Sequence, residues 1–405
     1  MPAKAKLEKT DPNEGLLEEN HDFSLMLGGP LYQLYLRTRL STPPLGLVRR
    51  RVVIISLICW LPLLLLSAAA GHAISGVHVP FLRDVEVQAR FLVALPMLIV
   101  AEFIVHERII LVVKHFLERN IIAADNRQRF AQIISSTMRL RNSVLLELVL
   151  LVLCFTVGHW VWNERIALKT ATWYELNYAG EQHLTAAGYW YEFVSLAIFR
   201  FILFRWYYRL FLWYYFLWRV RGLPLQLNLY HPDRAGGLGF LAGSIFAFAP
   251  VLLAHTVFLS GVIYDRILHA GATLLTFRME IVGSLLALLL LVLVPLTFFV
   301  IHLERAQRIA GGEFGLLSSH YVNDFRDKWV QHTLINTEPI LGTPDIQALA
   351  DLSHSFEVIS QINIVPFGKD AVIRLAALLA LPLVPLTLTM VPLKQIVHWI
   401  VKLAL

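Results

Sequence analysis

Residues 52–70 read Val-Val-Ile-Ile-Ser-Leu-Ile-Cys-Trp-Leu-Pro-Leu-Leu-Leu-Leu-Ser-Ala-Ala-Ala, and this run decides the fold. It carries no charge, and about 20 apolar residues in a helix cross the roughly 30 Å hydrocarbon core of a bilayer. Six further stretches approach the same standard: residues 91–113, 143–162, 190–217, 238–262, 280–301 and 371–391. The second is interrupted by His106-Glu107-Arg108, and the last holds Pro382 and Pro385, so it reads as a kinked span or a re-entrant hairpin. The expected fold is all-α: a polytopic integral membrane bundle of six to seven transmembrane helices with a cytoplasmic N-terminus.

Composition points the same way. Of 405 residues, 57% are hydrophobic and 16% charged, against about 45–50% and about 25% for soluble chains. Mean hydropathy is +0.61. So little charge cannot cover a water-soluble surface, which excludes a purely soluble enzyme. The 22 Gly, 18 Pro and 2 Cys exclude collagen-like, disordered and disulfide-scaffold chains. Cys59 and Cys154 sit inside apolar runs and read as small hydrophobes. The net charge of +6 fits basic loops facing anionic lipid better than a nucleic-acid partner, and none is expected.

Orientation follows from Lys and Arg. With the N-terminus inside, the inner segments hold 22 of them and the outer segments 8, a clear positive-inside bias. Four regions result. Residues 1–51 form a cytoplasmic segment with an interfacial helix near 29–40, where Leu and Tyr mix with Arg37 and Arg39. They hold no apolar h-region near the start, so the first apolar run is expected to act as an uncleaved anchor. Residues 52–301 form a six-helix bundle, 302–370 a cytoplasmic helical segment, and 371–405 the kinked or re-entrant end. Within 302–370, Thr343-Pro344-Asp345 is a helix start. Ile346, Leu349, Leu352, Phe356 and Ile359 then recur at helical spacing as one apolar stripe.

Charge inside the apolar runs is the most informative feature. Counted from the window edges at about 1.5 Å per residue, Glu102 and Arg200 both lie about 15 Å deep. An unpaired charge there costs about 2.5–3.5 kcal/mol, so the two are expected to pair across helices. His106 lies one turn from Glu102 on the same face. Arg205 and Arg209 match the depth of His106, Glu107 and Glu147, which makes one cluster. It reads either as a clamp that fixes packing or as part of a solute or proton path. The many rings of 190–218 read as an interfacial aromatic belt.

A second feature is the loop at residues 230–239, Tyr-His-Pro-Asp-Arg-Ala-Gly-Gly-Leu-Gly. A proline turn, close-approach glycines and a following helix start are the ingredients of an anion site, with His231, Asp233, Arg234, Gly236 and Gly237 as its residues. Gly239 and Gly243 form a small-xxx-small packing face. Glu102 with His106, His159 and His255 lack metal-ligand spacing, and a helix-linking hydrogen bond is expected of such a histidine. No nucleophile elbow, phosphate loop or dinucleotide fingerprint occurs. No catalytic residue, metal or cofactor is therefore expected.

The leading functional expectation is a transporter or channel-like protein for a small anionic solute in a bacterial-type inner membrane. The alternative is a membrane-anchored sensor or scaffold whose 302–370 segment binds a cytoplasmic protein. A homo-oligomer is compatible with either. A lipid-acting enzyme using His231 and Asp233 as acid and base is the third reading.

Overall fold

The computed structural model describes residues 23–157, 172–178, 181–228, 231–331, 344–360 and 362–390. In chain order the helices are α1 (Pro30–Arg37), α2 (Val48–Ala69), α3 (Val85–Glu118), α4 (Arg127–Arg141) and α5 (Val144–Phe155). They continue with α6 (Ala186–Arg221), α7 (Leu238–Ala270), α8 (Leu274–Val330), α9 (Pro344–Ser360) and α10 (Lys369–Met390). Strands β1 (Glu175–Tyr178) and β2 (Glu181–Leu184) pair antiparallel between α5 and α6. Six helices, α2, α3, α6, α7, α8 and α10, are long and apolar enough to cross a membrane. The expected span at 143–162 is seen as the 12-residue apolar α5, and residues 158–162 lie outside the described residues.

Caps set the helix ends. Ser143 Oγ accepts from Leu146 N at the start of α5, and Thr185 Oγ1 accepts from Gly188 N at the start of α6. Gly271, with φ 63°, ends α7 in the left-handed conformation that glycine adopts without a Cβ penalty. Residues 89–94 of α3 wind as a π-turn just before Pro96. The proline lacks the N–H that a regular turn would offer to the carbonyl four residues back, and a widened turn absorbs that mismatch.

The core lies between α3, α6 and α7, where Leu98, Ala101, Trp206, Phe216, Val251 and Leu252 are buried. Phe116 of α3 touches Phe130 of α4, Phe216 of α6, Phe240 at the start of α7 and Phe299 of α8. One ring thus ties five helices together. α2 lies against α3 and the start of α6, where Ser195 Oγ donates to the Cys59 carbonyl. α10 seats Leu375 and Leu379 against α7 and α8. Residues 23–47 and the start of α2 mark one end of the bundle, here the N-terminal end; β1 and β2 lie at the far end.

Two expectations change. Not all rings of α6 are free to form a belt: Trp206, Trp213, Phe216 and Tyr191 are buried, while Phe193, Phe211 and Trp218 remain exposed. Trp206 Nε1 donates to the Leu98 carbonyl, so its polar edge finds a partner inside the bundle and needs no interfacial water. Second, the helix expected over 280–301 does not stop there. α8 has 57 residues, which would rise about 85 Å if straight, so it runs on through the first part of 302–370. Asp345 at the start of α9 accepts from Lys328 Nζ and Trp329 Nε1 and pins α9 to the end of α8. Of the predicted stripe on α9, Leu349 and Leu352 are half-buried while Ile346 and Phe356 stay exposed. Thr343 lies outside the described residues.

Candidate functional site

Arg51 is the fourth residue of α2 and Glu147 the fourth of α5; both project into the bundle from the first turn of an apolar helix. Between them lie Glu102 of α3 and Arg205 and Arg209 of α6, all buried. Glu102 is held from two sides: Oε2 accepts from Arg51 Nη1 at 2.9 Å and Oε1 from Arg209 Nη2 at 2.7 Å. Glu147 faces Arg205 at 3.5 Å and its other oxygen accepts from Leu31 N at the start of α1. Arg209 also stacks on Trp206, 4.9 Å from the ring centroid. Arg49 and Arg50, next to Arg51, are exposed, so only the third of these consecutive arginines turns into the bundle.

Residues 23–37 cover this cluster. Phe23, Leu25 and Met26 are buried, and the Phe23 ring lies 4.9 Å from that of Phe216. Ser24 Oγ meets His106 Nδ1 at 2.8 Å, and Arg141 Nη1 donates to the Ser24 carbonyl. Tyr35 sits under Arg51, 5.5 Å from guanidinium carbon to ring centroid. Burial, and after it the negative charge of Glu102, push the Tyr35 phenol up to about 12, so it stays neutral. Burial first and the Arg209 charge second pull the Arg141 guanidinium down to about 10. The helix expected to lie at the interface over 29–40 is therefore tucked against the charges, with only Leu34, Arg37 and neighbouring residues turned outward.

The arrangement differs from the sequence expectation in its pairing. Contacts between α3 and α6 join residues 100 to 108 apart: 100 for Phe91 with Tyr191 and for Phe116 with Phe216, 101 for Arg90 with Tyr191, 107 for Glu102 with Arg209 and 108 for Leu98 with Trp206. A Glu102–Arg200 pair needs 98. The partner that Glu102 takes, Arg209, lies nine residues beyond Arg200, about 14 Å of helix rise. Hydropathy windows end where local composition changes, whereas the partner of Glu102 is set by neighbouring buried contacts, here Trp206 on the Leu98 carbonyl and Arg209 on Glu102 itself. Arg200 instead borders a cavity of about 310 Å³ with Phe155, Glu192 and Phe193, within electrostatic reach of Arg90 and Cys154. Glu107 is exposed and stands outside the cluster. His255 bridges helices, with Nε2 at 2.7 Å from Tyr207 OH and Nδ1 on the Val251 carbonyl.

The glycine loop also binds an anion, but its own. Asp233 Oδ1 accepts from Ala235 N and Gly237 N, and Oδ2 from Gly239 N. Gly237 (φ 91°) and Gly236 (φ 62°) supply the left-handed turn that aims these amides at the carboxylate. Burial alone would raise the Asp233 carboxyl; the three amides and the neighbouring His231 outweigh it and hold the group below its usual range. His231 Nδ1 lies 3.0 Å from Oδ1. Arg234 is exposed. Gly239 is required by Asp233, which a Cβ there would strike at 2.9 Å, while Gly243 has only ordinary contact with Val112.

Sequence reasoning missed a second buried cluster at the far end. Arg90 is 1% exposed, donates to Tyr191 OH and pairs with Glu86 one turn away. Four rings, Phe91, Tyr191, Phe199 and Phe258, surround its guanidinium within 6 Å. Asp265 of α7 accepts from Val85 N and Glu86 N, and Asp84 from Val87 N and Trp173 Nε1, so both carboxylates satisfy the first turn of α3. The i,i+4 spacing of Glu86 and Arg90 was the available signal. Among the described residues, no group of His, Cys, Asp and Glu could hold a metal ion.

Among the described residues, which are nearly all helical, six membrane-length apolar helices define a multi-pass membrane protein. No known protein-family model, curated protein or solved structure matches the chain.

Proposed function

We propose that the protein moves a small anion or anionic solute across a bacterial-type inner membrane, with its N-terminal end in the cytoplasm and the Arg51–Glu102–Arg209 cluster as the point of binding. Arg51 carries the reading. Its side chain is 0% exposed, yet its Nε and Nη2 have no hydrogen-bond partner among the described residues. A buried donor left unsatisfied costs about 1–3 kcal/mol, and more when charged. Such an edge calls for an explanation, and an ion that occupies it during function supplies one. Around it Arg51, Arg141, Arg205 and Arg209 outnumber Glu102 and Glu147, and the surplus calls for negative charge. Residues 23–37 are the part that moves to admit it.

Purified protein in liposomes is expected to pass at least one of chloride, nitrate, phosphate and acetate. Arg51→Gln is expected to reduce that flux about tenfold, the loss of roughly one charge-assisted hydrogen bond. Arg51→Lys, which keeps the charge but not the fork, is expected to fall between. No flux of any of these anions through well-folded protein overturns the proposal.

One observation favours a partner-binding role instead: α8 and α9 expose Ile309, Leu316, Leu317, Val322, Ile346 and Phe356 beyond the bundle. Under that reading the charge cluster is a clamp, and deleting residues 312–365 abolishes capture of a cytoplasmic protein without changing any flux.

A further inference from the structure

A cavity of about 540 Å³ opens at the N-terminal end of the bundle, where three separate parts of the chain meet. Arg119 comes from the end of α3, and His231 and Asp233 from the glycine loop. Asn363 and Gly368 come from the segment leading into α10. The backbone N–H of Asn363 donates to the Arg234 carbonyl at 2.7 Å, which ties the last two together.

Two formal charges line this cavity, Arg119 and Asp233, and the acid is turned into its own loop. Asp233 is consumed by three loop amides and by His231, as described above. Arg119 forms a cation–π contact with Phe240, 5.3 Å from guanidinium carbon to ring centroid, and no described carboxylate pairs with it. Its neighbour Glu118 pairs with Lys114. Gly368, the N-cap of α10, lines the cavity and offers no capping side chain; its carbonyl takes the Ala371 N–H, which leaves those of Lys369 and Asp370 as the open donors of the helix start. A guanidinium, an imidazole and a helix start converging from three elements suit an anion with several oxygens. The remaining wall is apolar, with Phe240 and Phe367. Just beyond, α10 begins its exposed apolar surface at Ile373.

We propose that this cavity binds a phosphate group, supplied either by a phospholipid headgroup whose apolar body follows the surface of α10 or by free phosphate. The site is separate from the Glu102 cluster and stands whether or not the protein conducts anions.

The test uses the full chain. Thermal stability in detergent is followed during titration with inorganic phosphate. Binding to phosphatidylcholine nanodiscs with and without phosphatidic acid is compared by native mass spectrometry of retained lipid. Wild type is expected to be stabilised by phosphate or to retain phosphatidic acid selectively. Arg119→Gln and His231→Gln are each expected to weaken this about tenfold. Lys114→Gln, which removes a nearby surface cation outside the cavity, leaves it unchanged. Selective retention of phosphatidic acid assigns the lipid source, and stabilisation by phosphate alone assigns the soluble one. A wild type indifferent to both probes, or Arg119→Gln and His231→Gln variants that bind as wild type does, overturns the proposal. So does an equal loss in Lys114→Gln, which would reduce the effect to diffuse surface charge.

Discussion

Glu102→Gln is expected to be the most damaging single substitution in the chain, lowering stability by about 3–5 kcal/mol. The carboxylate is the shared counter-charge of Arg51 and Arg209, and both guanidinium groups are buried. Removing it strands two cations where water cannot reach them, which is far worse than losing one hydrogen bond. Glutamine keeps the shape and one acceptor oxygen but not the charge. Glu102→Asp keeps the charge and shortens the reach by one methylene, so it is expected to be intermediate. Glu118→Gln is the appropriate comparison: its pairing with Lys114 is exposed, and such pairs contribute about 0–1 kcal/mol. Fluorescence-detected size-exclusion chromatography after heating orders the three variants. A Glu102→Gln protein as heat-resistant as Glu118→Gln would mean that the cluster contributes nothing to holding α2, α3 and α6 together.

The second large effect lies at the other end of the bundle. Arg90→Met is expected to cost about 3–5 kcal/mol, because it leaves the buried Glu86 carboxylate without its cation. The four surrounding rings lose cation–π contacts worth about 0.5–2 kcal/mol each, although methionine recovers part of the packing. The informative variant is the double one. Glu86→Gln with Arg90→Met removes both charges, and replacing a buried pair by uncharged groups of similar size is often close to neutral. The double variant is therefore expected to be more heat-resistant than Arg90→Met alone. Equal or greater damage in the double variant would show that Arg90 acts through shape and not through charge.

The membrane-length helices were legible in the sequence because hydropathy is a local property: the run at 52–70 needs no tertiary partner to be recognised. Orientation could be read only as a bias in Lys and Arg, since charge counts fix no coordinates. What local reading could not supply was register. Glu102, Arg205, Arg209 and Glu147 could be grouped by depth, but choosing Arg209 over Arg200 for Glu102 depends on how far α6 slides along α3. That slide is set by contacts distant in sequence. Arg51 was counted as one more basic residue ahead of an apolar run, and only the bundle reveals that it turns inward while Arg49 and Arg50 turn out. The glycine loop was legible as an anion cradle. That Asp233 fills it required the fold of the loop itself. The far-end cluster escaped because Asp84 and Asp265 are 181 residues apart and meet only at the start of α3.

The open edge of Arg51 can be examined directly. Crystals of the protein soaked in bromide, with data collected at the bromine absorption edge, are expected to show an anomalous peak about 3–3.5 Å from Arg51 Nε or Nη2, within contact range of a guanidinium donor. The peak disappears in Arg51→Gln. A sealed seam at that position, with no anomalous signal and with side chains closed over both nitrogens, would contradict a role for the cluster in taking up anions and leave it a clamp.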